Sequence, residues 1–125
     1  MTTFVFAPLL EWMLGDDQLN PDTIKSRNKR AMSYLAAGRP AKAIPLYKRT
    51  LADCERVLGA GNSNTLRARN NLAMAYQAAG RTAEAIPLLE RTLADCERVL
   101  GANHRDTKAT RRNLAALTAD PKIHI

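Results

Sequence analysis

The sequence repeats itself with a step of 42 residues. The run RTLADCERVLGA at 49–60 returns unchanged at 91–102, and Thr23, Thr65 and Thr107 keep the same step. A fixed period of this kind is typical of stacked supersecondary units, none of which can bury its apolar face alone. The chain is therefore predicted to be an array of similar units packed side by side.

Each unit divides at a glycine into two helices. In the second unit, apolar residues recur at three- and four-residue steps on both sides of Gly80, as on the buried stripe of a helix. They are Leu66, Ala73 and Tyr76, then Ile86, Leu89, Leu93, Cys96 and Leu100. Glycine suits the left-handed conformation that ends a helix. We call the first helix of a unit its A helix and the longer second one its B helix, which together form an antiparallel hairpin.

Polar residues and prolines mark where these helices are expected to begin and end. Asp22 or Thr23 is predicted to cap the first A helix after Pro21, and Asp106 or Thr107 to cap the last one. Pro40 and Thr82 stand at the cap positions of the two B helices. Pro45 and Pro87 recur at one register inside the B helices, where proline bends a helix. Pro121 ends the third A helix.

A known family shares this pattern. The spacing of six positions resembles the tetratricopeptide repeat signature, at Leu72, Ala73, Tyr76, Gly80, Ala85 and Leu89. The NNLA, GRxxEA and LGxxHxDT phrases and the 42-residue step are similar to its kinesin-light-chain-like subgroup. The resemblance covers about residues 19–118 and implies an all-α, right-handed α-solenoid of antiparallel helix pairs. It is specific for fold and not for function, because such repeats are general scaffolds for binding other proteins.

The resemblance and the glycines and prolines that end helices together divide the chain into five parts. They are an apolar N-terminal capping helix (1–18), two complete repeats (19–60 and 61–102), a half repeat with a capping A helix (103–119) and a tail (120–125). Two complete repeats are fewer than the three or so that usually make a stable array. The flanking helices are therefore expected to supply much of the burial at the ends.

Composition points to a soluble protein without catalytic chemistry. Hydrophobic residues make up 46% of the chain and charged residues 25%, as in an ordinary globular domain.

Cys54 and Cys96, one repeat apart, are predicted to be core thiols too distant for a disulfide, which favours the cytoplasm. His104 and His124 lack ligand-spaced partners, and no phosphate loop or nucleophile motif occurs. We predict no metal, no cofactor and no enzyme activity; the richness in Ala and Arg is typical of a GC-rich bacterial source.

The N-terminal segment is almost continuously apolar. It includes Phe4, Phe6, Leu10 and Trp12 but is too short to span a membrane, and it lacks the basic start of a signal peptide. Our first interpretation is a helix that covers the exposed side of the first repeat. A dimer contact between two copies and attachment to a membrane surface are the alternatives.

Net charge is the feature with most bearing on function. The chain carries +7, and the three A helices hold nine of its cations. These are Lys25, Arg27, Lys29, Arg30, Arg67, Arg69, Lys108, Arg111 and Arg112. Arg30 replaces the leucine of the later units (Leu72, Leu114), so we expect a solvated guanidinium whose stem lies along apolar surface, or an ion pair with Asp16 or Asp17.

In tetratricopeptide repeats the A helices line a concave groove, so the resemblance places the basic excess where ligands bind. Carried over by position, the groove comprises Lys25, Asn28, Lys29, Met32, Arg67, Asn70, Asn71, Met74, Gln77, Arg112, Asn113 and Ala116. Asn71 and Asn113 match the asparagine that grips a peptide backbone or terminal carboxylate in the family. Lys29 and Arg112 depart from the pattern, so no particular peptide is implied. A merely solvated basic face is the alternative.

Three functions are compatible with these features. The first is an interaction module that holds an acidic or carboxylate-ended peptide of a partner protein. The second is nucleic-acid binding through the nine cations, although exposed aromatic residues for stacking are lacking. The third is a structural oligomer that associates through the N-terminal apolar helix.

Deleting residues 1–14 tests the interpretation of the apolar segment. The deletion should lower the melting temperature or change the oligomeric state, because each large apolar side chain contributes about 1.5–3 kcal/mol when fully buried. Thermal unfolding and light scattering on the full and shortened chains would measure this. Unchanged values of both would mean that the segment packs on nothing.

Overall fold

Five α-helices make up the part of the chain that the structure describes. The computed structural model describes residues 21–119, with side chains from residue 24, and the predicted N-terminal helix and tail lie outside this range. The helices are α1 (Pro21–Ala36), α2 (Pro40–Leu58), α3 (Ser63–Ala78), α4 (Thr82–Val99) and α5 (Arg105–Thr118). The A helices are α1, α3 and α5, and the B helices are α2 and α4. Each helix packs against the next one in the chain, and no strand occurs between residues 21 and 119. The predicted all-α solenoid is confirmed.

The helices of a hairpin meet at alanines that recur with the repeat. Ala31 and Ala73 on the A helices and Ala43 and Ala85 on the B helices are all 0% exposed. Small side chains at a crossing let two helices approach closely. Larger residues surround these contacts, among them Tyr47, Leu72 and Leu89. Of the eight apolar residues predicted to face inward in the second unit, five are buried, whereas Ile86, Leu93 and Leu100 are half-buried.

The glycine turns follow the prediction, and both internal prolines are accommodated within helices. Gly80 has a φ of 77° and Gly38 a φ of 74°, in the region that side chains rarely adopt. Pro45 lies inside α2 and Pro87 inside α4, so neither ends its helix.

The predicted caps of the B helices are wrong. Pro40 and Thr82 are the first helical residues, and the cap positions belong to Arg39 and Arg81, whose side chains make no cap hydrogen bond. Arg81 instead donates two hydrogen bonds to Glu84, at 2.6 and 2.7 Å, and lies 4.8 Å from the centre of the Tyr76 ring. This arginine therefore ties the turn to the end of α3 through its side chain.

The predicted caps of the A helices are also wrong, because each helix begins earlier than expected. Pro21 is already helical, so Asp22 and Thr23 lie within α1. His104 caps α5, where its Nδ1 accepts a hydrogen bond from the Asp106 N–H at 3.0 Å. Thr107 lies inside the helix, and its hydroxyl donates to the carbonyl oxygen of Cys96 at 3.3 Å.

Ion pairs formed by buried arginines join the two helices of each hairpin. The Nη1 atom of Arg27 lies 2.8 Å from Oδ2 of Asp53, and that of Arg69 lies 2.7 Å from Oδ2 of Asp95. The two pairs are equivalent, since both arginines and both aspartates are one repeat apart. The side chains of Arg27 and Arg69 are 5% and 1% exposed, so the arginines belong to the interior.

A second, weaker set of ion pairs links each A helix to the B helix before it. Arg69 approaches Glu55 of α2 at 3.8 Å, and Arg111 approaches Glu97 of α4 at 3.2 Å. Arg69 is thus held between two B helices, its own and the preceding one. One side chain therefore connects neighbouring repeats through charge as well as packing.

Acid should weaken the ion pair between Arg69 and Asp95. The hydrogen bond from Arg69 holds the pKa of Asp95 below its ordinary value of 3.8. A lowered pKa in the folded state adds stability above the unfolded-state pKa, and this stability is lost as the pH falls through the folded-state value. The free energy of unfolding from urea titrations should therefore fall more steeply between pH 6 and pH 3 in the wild type than in Asp95→Asn. Glu90→Gln removes a carboxylate of the same helix that forms no ion pair within residues 24–119, and serves as control. Equal slopes for wild type and Asp95→Asn would contradict the expectation.

Candidate functional site

The residues predicted to bind a ligand lie on the A helices, on a surface that we call the A-helix face. Lys25, Lys29, Arg67 and Arg112 are exposed, as are Met32 and Ala116. The remaining members are half-buried, namely Asn28, Asn70, Asn71, Met74, Gln77 and Asn113. The face therefore combines exposed cations with partly buried amides.

Four of the nine cations predicted on the A helices are neutralised by carboxylates, and Arg105, which the structure adds to α5, lies 3.9 Å from Asp106. Arg27, Arg69 and Arg111 form the pairs described above, and Arg67 lies 3.0 Å from Asp106. The other five are exposed and pair with no carboxylate in the part of the chain that the structure describes: Lys25, Lys29, Arg30, Lys108 and Arg112. Of these, three belong to the A-helix face, so its basic excess is smaller than the sequence suggests.

Arg30 is solvated, in line with the first of its two interpretations. It lines a shallow depression together with Tyr34, Pro45 and Leu46, so apolar surface lies beside its stem. Asp16 and Asp17, the alternative partners, are outside the described residues.

An asparagine pair closes one junction between A helices. Nδ2 of Asn113 donates to Oδ1 of Asn70 at 3.2 Å, which joins α5 to α3. One repeat earlier the same positions hold Asn71 and Asn28, and these make no such bond. Oδ1 of Asn28 is instead buried without a hydrogen-bond partner. The junction between α1 and α3 is therefore the open one.

A cavity of about 330 Å³ lies at this open junction, with α2 behind it. Its lining combines two A helices and one B helix: Ile24, Lys25, Asn28, Thr50, Cys54, Val57, Leu58, Asn64, Arg67 and Ala68. The α2 residues are not among the groove positions predicted from the sequence, all of which lie on the A helices. Burial raises the pKa of the Cys54 thiol, so the sulfur facing this region is a neutral thiol and not a thiolate.

Two further properties bear on function. Within residues 21–119 no helix is both long enough and apolar enough to cross a bilayer. In the same range, no three His, Cys, Asp or Glu side chains come together where they could hold a metal ion.

A family model confirms the resemblance. The tetratricopeptide repeat model matches residues 22–94 and 65–120. The chain belongs to the tetratricopeptide repeat family. A search of curated proteins gave no match.

Solved structures of other tetratricopeptide repeats are similar to this chain. Two crystal structures, one of them of a single-substitution variant, show the nearly identical repeats of a Podosopora anserina protein described as a kinesin light chain. They superpose with TM-scores of 0.71 and 0.70 at 27% and 28% identity over 82% of this chain. This chain spans 48% of their length. Tetratricopeptide repeats generally mediate protein–protein interaction.

Proposed function

We propose that this tetratricopeptide repeat protein is a non-enzymatic interaction module that holds an acidic or carboxylate-ended peptide of a partner protein on its A-helix face. The observation that carries the proposal is the placement of Lys25, Lys29 and Arg112. These cations are exposed and lack carboxylate partners within the described residues, and they flank the half-buried asparagines. Uncompensated cations beside buried surface attract anionic ligands.

The asparagines suit the backbone of such a ligand. An asparagine side chain offers a donor and an acceptor together, which matches the alternating groups of an extended peptide. Asn71 lies at the centre of the A-helix face and makes no hydrogen bond with Asn28, so its amide is available to a ligand. The proposed binding mode thus combines charge attraction with backbone recognition.

The neutralised arginines weigh against nucleic-acid binding. Affinity for a phosphate backbone depends on the number of cations that contact it, and four of the nine are already engaged. The aromatic residues of the A helices are also occupied, because Tyr76 is buried and carries Arg81 over its ring, while Tyr34 carries Arg39. Stacking of bases on these rings would require both arginines to move.

Three further parts of the proposal concern the compartment, the subgroup of the family and self-association. Two free, buried cysteines agree with a reducing compartment, so we place the protein in the cytoplasm. We also assign it to the subgroup with 42-residue repeats, with the five-part division of the chain given above. Self-association through the apolar N-terminal helix concerns residues outside the described range and stays a proposal.

Releasing Arg67 should strengthen peptide binding. Arg67 pairs with Asp106, so Asp106→Asn frees a cation on the A-helix face and removes a negative charge beside it. An acidic hexapeptide with a free carboxylate should then bind about two- to fivefold more tightly at low salt, since one exposed ion pair is worth about 0–1 kcal/mol. The control Glu97→Gln changes net charge equally but frees Arg111, which lies outside the predicted groove positions. Fluorescence anisotropy would measure the peptide affinity of both variants. Equal gains in affinity for the two variants would mean that the change in net charge alone explains the effect.

Removing the central amide should weaken binding. Asn71→Ala is expected to cost on the order of 1 kcal/mol of peptide affinity, the typical value of one hydrogen bond. Arg67→Glu should cost more, because it repels the ligand during encounter. The same titrations with a labelled oligonucleotide at several salt concentrations separate the two ligand classes. Tighter, steeply salt-dependent oligonucleotide binding would favour nucleic acid, and indifference of both ligands to both variants would leave a solvated basic face.

A further inference from the structure

The repeat provides an internal comparison for the cavity between α1 and α3. A second cavity lies at the same place one repeat later, between α3 and α5 over α4, and measures only about 20 Å³. Its lining residues are the 42-residue equivalents of those around the first cavity, including Leu66 for Ile24, Arg67 for Lys25, Asn70 for Asn28, Cys96 for Cys54, Asp106 for Asn64 and Thr110 for Ala68. A volume of 20 Å³ accommodates about one water molecule, whereas about 330 Å³ is within the range of ligand sites.

Two side-chain differences distinguish the later cavity from the earlier one. In the later cavity, Thr110 occupies space next to Cys96, with its Oγ1 at 4.0 Å from the Cys96 sulfur and 2.8 Å from the Asp106 carbonyl oxygen. The Arg67–Asp106 ion pair crosses the rim. In the earlier cavity Ala68 and Asn64 replace the threonine and the aspartate, so neither the filling group nor the ion pair is present.

The open cavity has two buried polar groups without hydrogen-bond partners, beside the apolar side chains of Ile24, Val57, Leu58 and Ala68. Thr50 is 1% exposed and its hydroxyl has no hydrogen-bond partner, while the equivalent Thr92 donates to the Leu88 carbonyl oxygen at 2.7 Å. The buried Asn28 Oδ1 is likewise unpartnered. Buried polar groups are nearly always hydrogen-bonded, so these two indicate a missing donor. Leu58, which is 39% exposed, adds apolar surface to the lining.

Lys25 supplies the charge. It lines the cavity, is exposed, and pairs with no carboxylate among the described residues. Arg67 also lines this cavity, but its guanidinium pairs with Asp106 at the other junction. A ligand that fits this set has an apolar body, a hydrogen-bond donor for Asn28 or Thr50, and an anion for Lys25.

We propose that the cavity between α1 and α3 binds an amphipathic carboxylate, in which an apolar group enters the cavity and the attached carboxylate reaches Lys25. This inference rests on the proposed function and deepens it, because it assigns specificity to one junction of the A-helix face. The carboxylate can be a C-terminal apolar residue of a peptide, whose backbone N–H supplies the donor, or a free acid of similar size.

Two acidic peptides that differ only in a C-terminal phenylalanine or alanine test the inference. The phenylalanine peptide should bind the wild type roughly tenfold more tightly, as expected for burial of one large apolar group. Ala68→Thr places in the open cavity the residue found in its equivalent and takes up part of the volume, so the difference between the peptides should decrease. Because Thr110 is tolerated at the equivalent position, the variant should fold, which circular dichroism would check. Ala94→Thr, the same change at an exposed position of α4, should preserve the difference.

A second variant tests the role of Lys25. Asn64→Asp should pair with Lys25 as Asp106 pairs with Arg67, and should weaken both peptides by several fold relative to Asn103→Asp in an exposed turn. Competition by 3-phenylpropionate at millimolar concentration would identify the source as a free acid, and phenylalanine-dependent binding without such competition would identify a peptide end. An undiminished phenylalanine preference in Ala68→Thr would overturn the inference. Equal binding of the two peptides by the wild type would overturn it while leaving the proposed function intact, and failure of both peptides to bind would remove the proposed function itself.

Discussion

The pairing of a buried arginine on an A helix with an aspartate on the following B helix is the interaction on which much of this structure depends. Breaking a buried pair by removing one partner typically costs about 3–5 kcal/mol, because an uncompensated charge stays in the interior. Arg69 and Asp95 therefore fix how α3 and α4 sit against one another, and Arg27 and Asp53 do the same for α1 and α2. Fully buried alanines also recur on both helices of each hairpin.

This interaction also shapes the functional surface. Because Arg27 and Arg69 are turned toward the B helices, they are not available to a ligand on the A-helix face. The exposed cations on that face without a carboxylate partner among the described residues are Lys25, Lys29 and Arg112, because Arg67 pairs with Asp106. A large formal charge thus becomes a few separated cations, which suits a short anionic ligand better than a long phosphate backbone.

The fold was predictable from the sequence because it depends on periodicity. The 42-residue step, the glycine turns and the apolar spacing all act locally, and the structure follows them from α1 to α5. The caps were predicted less well, since a cap depends on where a helix begins to within one residue, as His104 and Thr82 show. The buried arginines were missed for another reason. An Arg and an Asp 26 residues apart come together only once the hairpin has formed, and composition alone counts them as surface charges.

The predicted groove positions lie on the A helices, but the sequence does not reveal the cavity behind them. The groove positions came from the family pattern, whereas the cavity depends on Thr50, Cys54 and other residues of α2 that no motif marks. A signal existed in the differences between the repeats, at Ala68 against Thr110 and Asn64 against Asp106. These two differences distinguish the junction between α1 and α3 from the equivalent junction between α3 and α5.

The most direct test of this account is a nuclear magnetic resonance titration of the labelled protein with the phenylalanine-ended acidic peptide. Chemical-shift changes should concentrate around the open junction, at Lys25, Asn28 and Ala68, with smaller changes at the equivalent Arg67, Asn70 and Thr110. Changes centred on exposed residues of the B helices, or equal changes at both junctions, would contradict it.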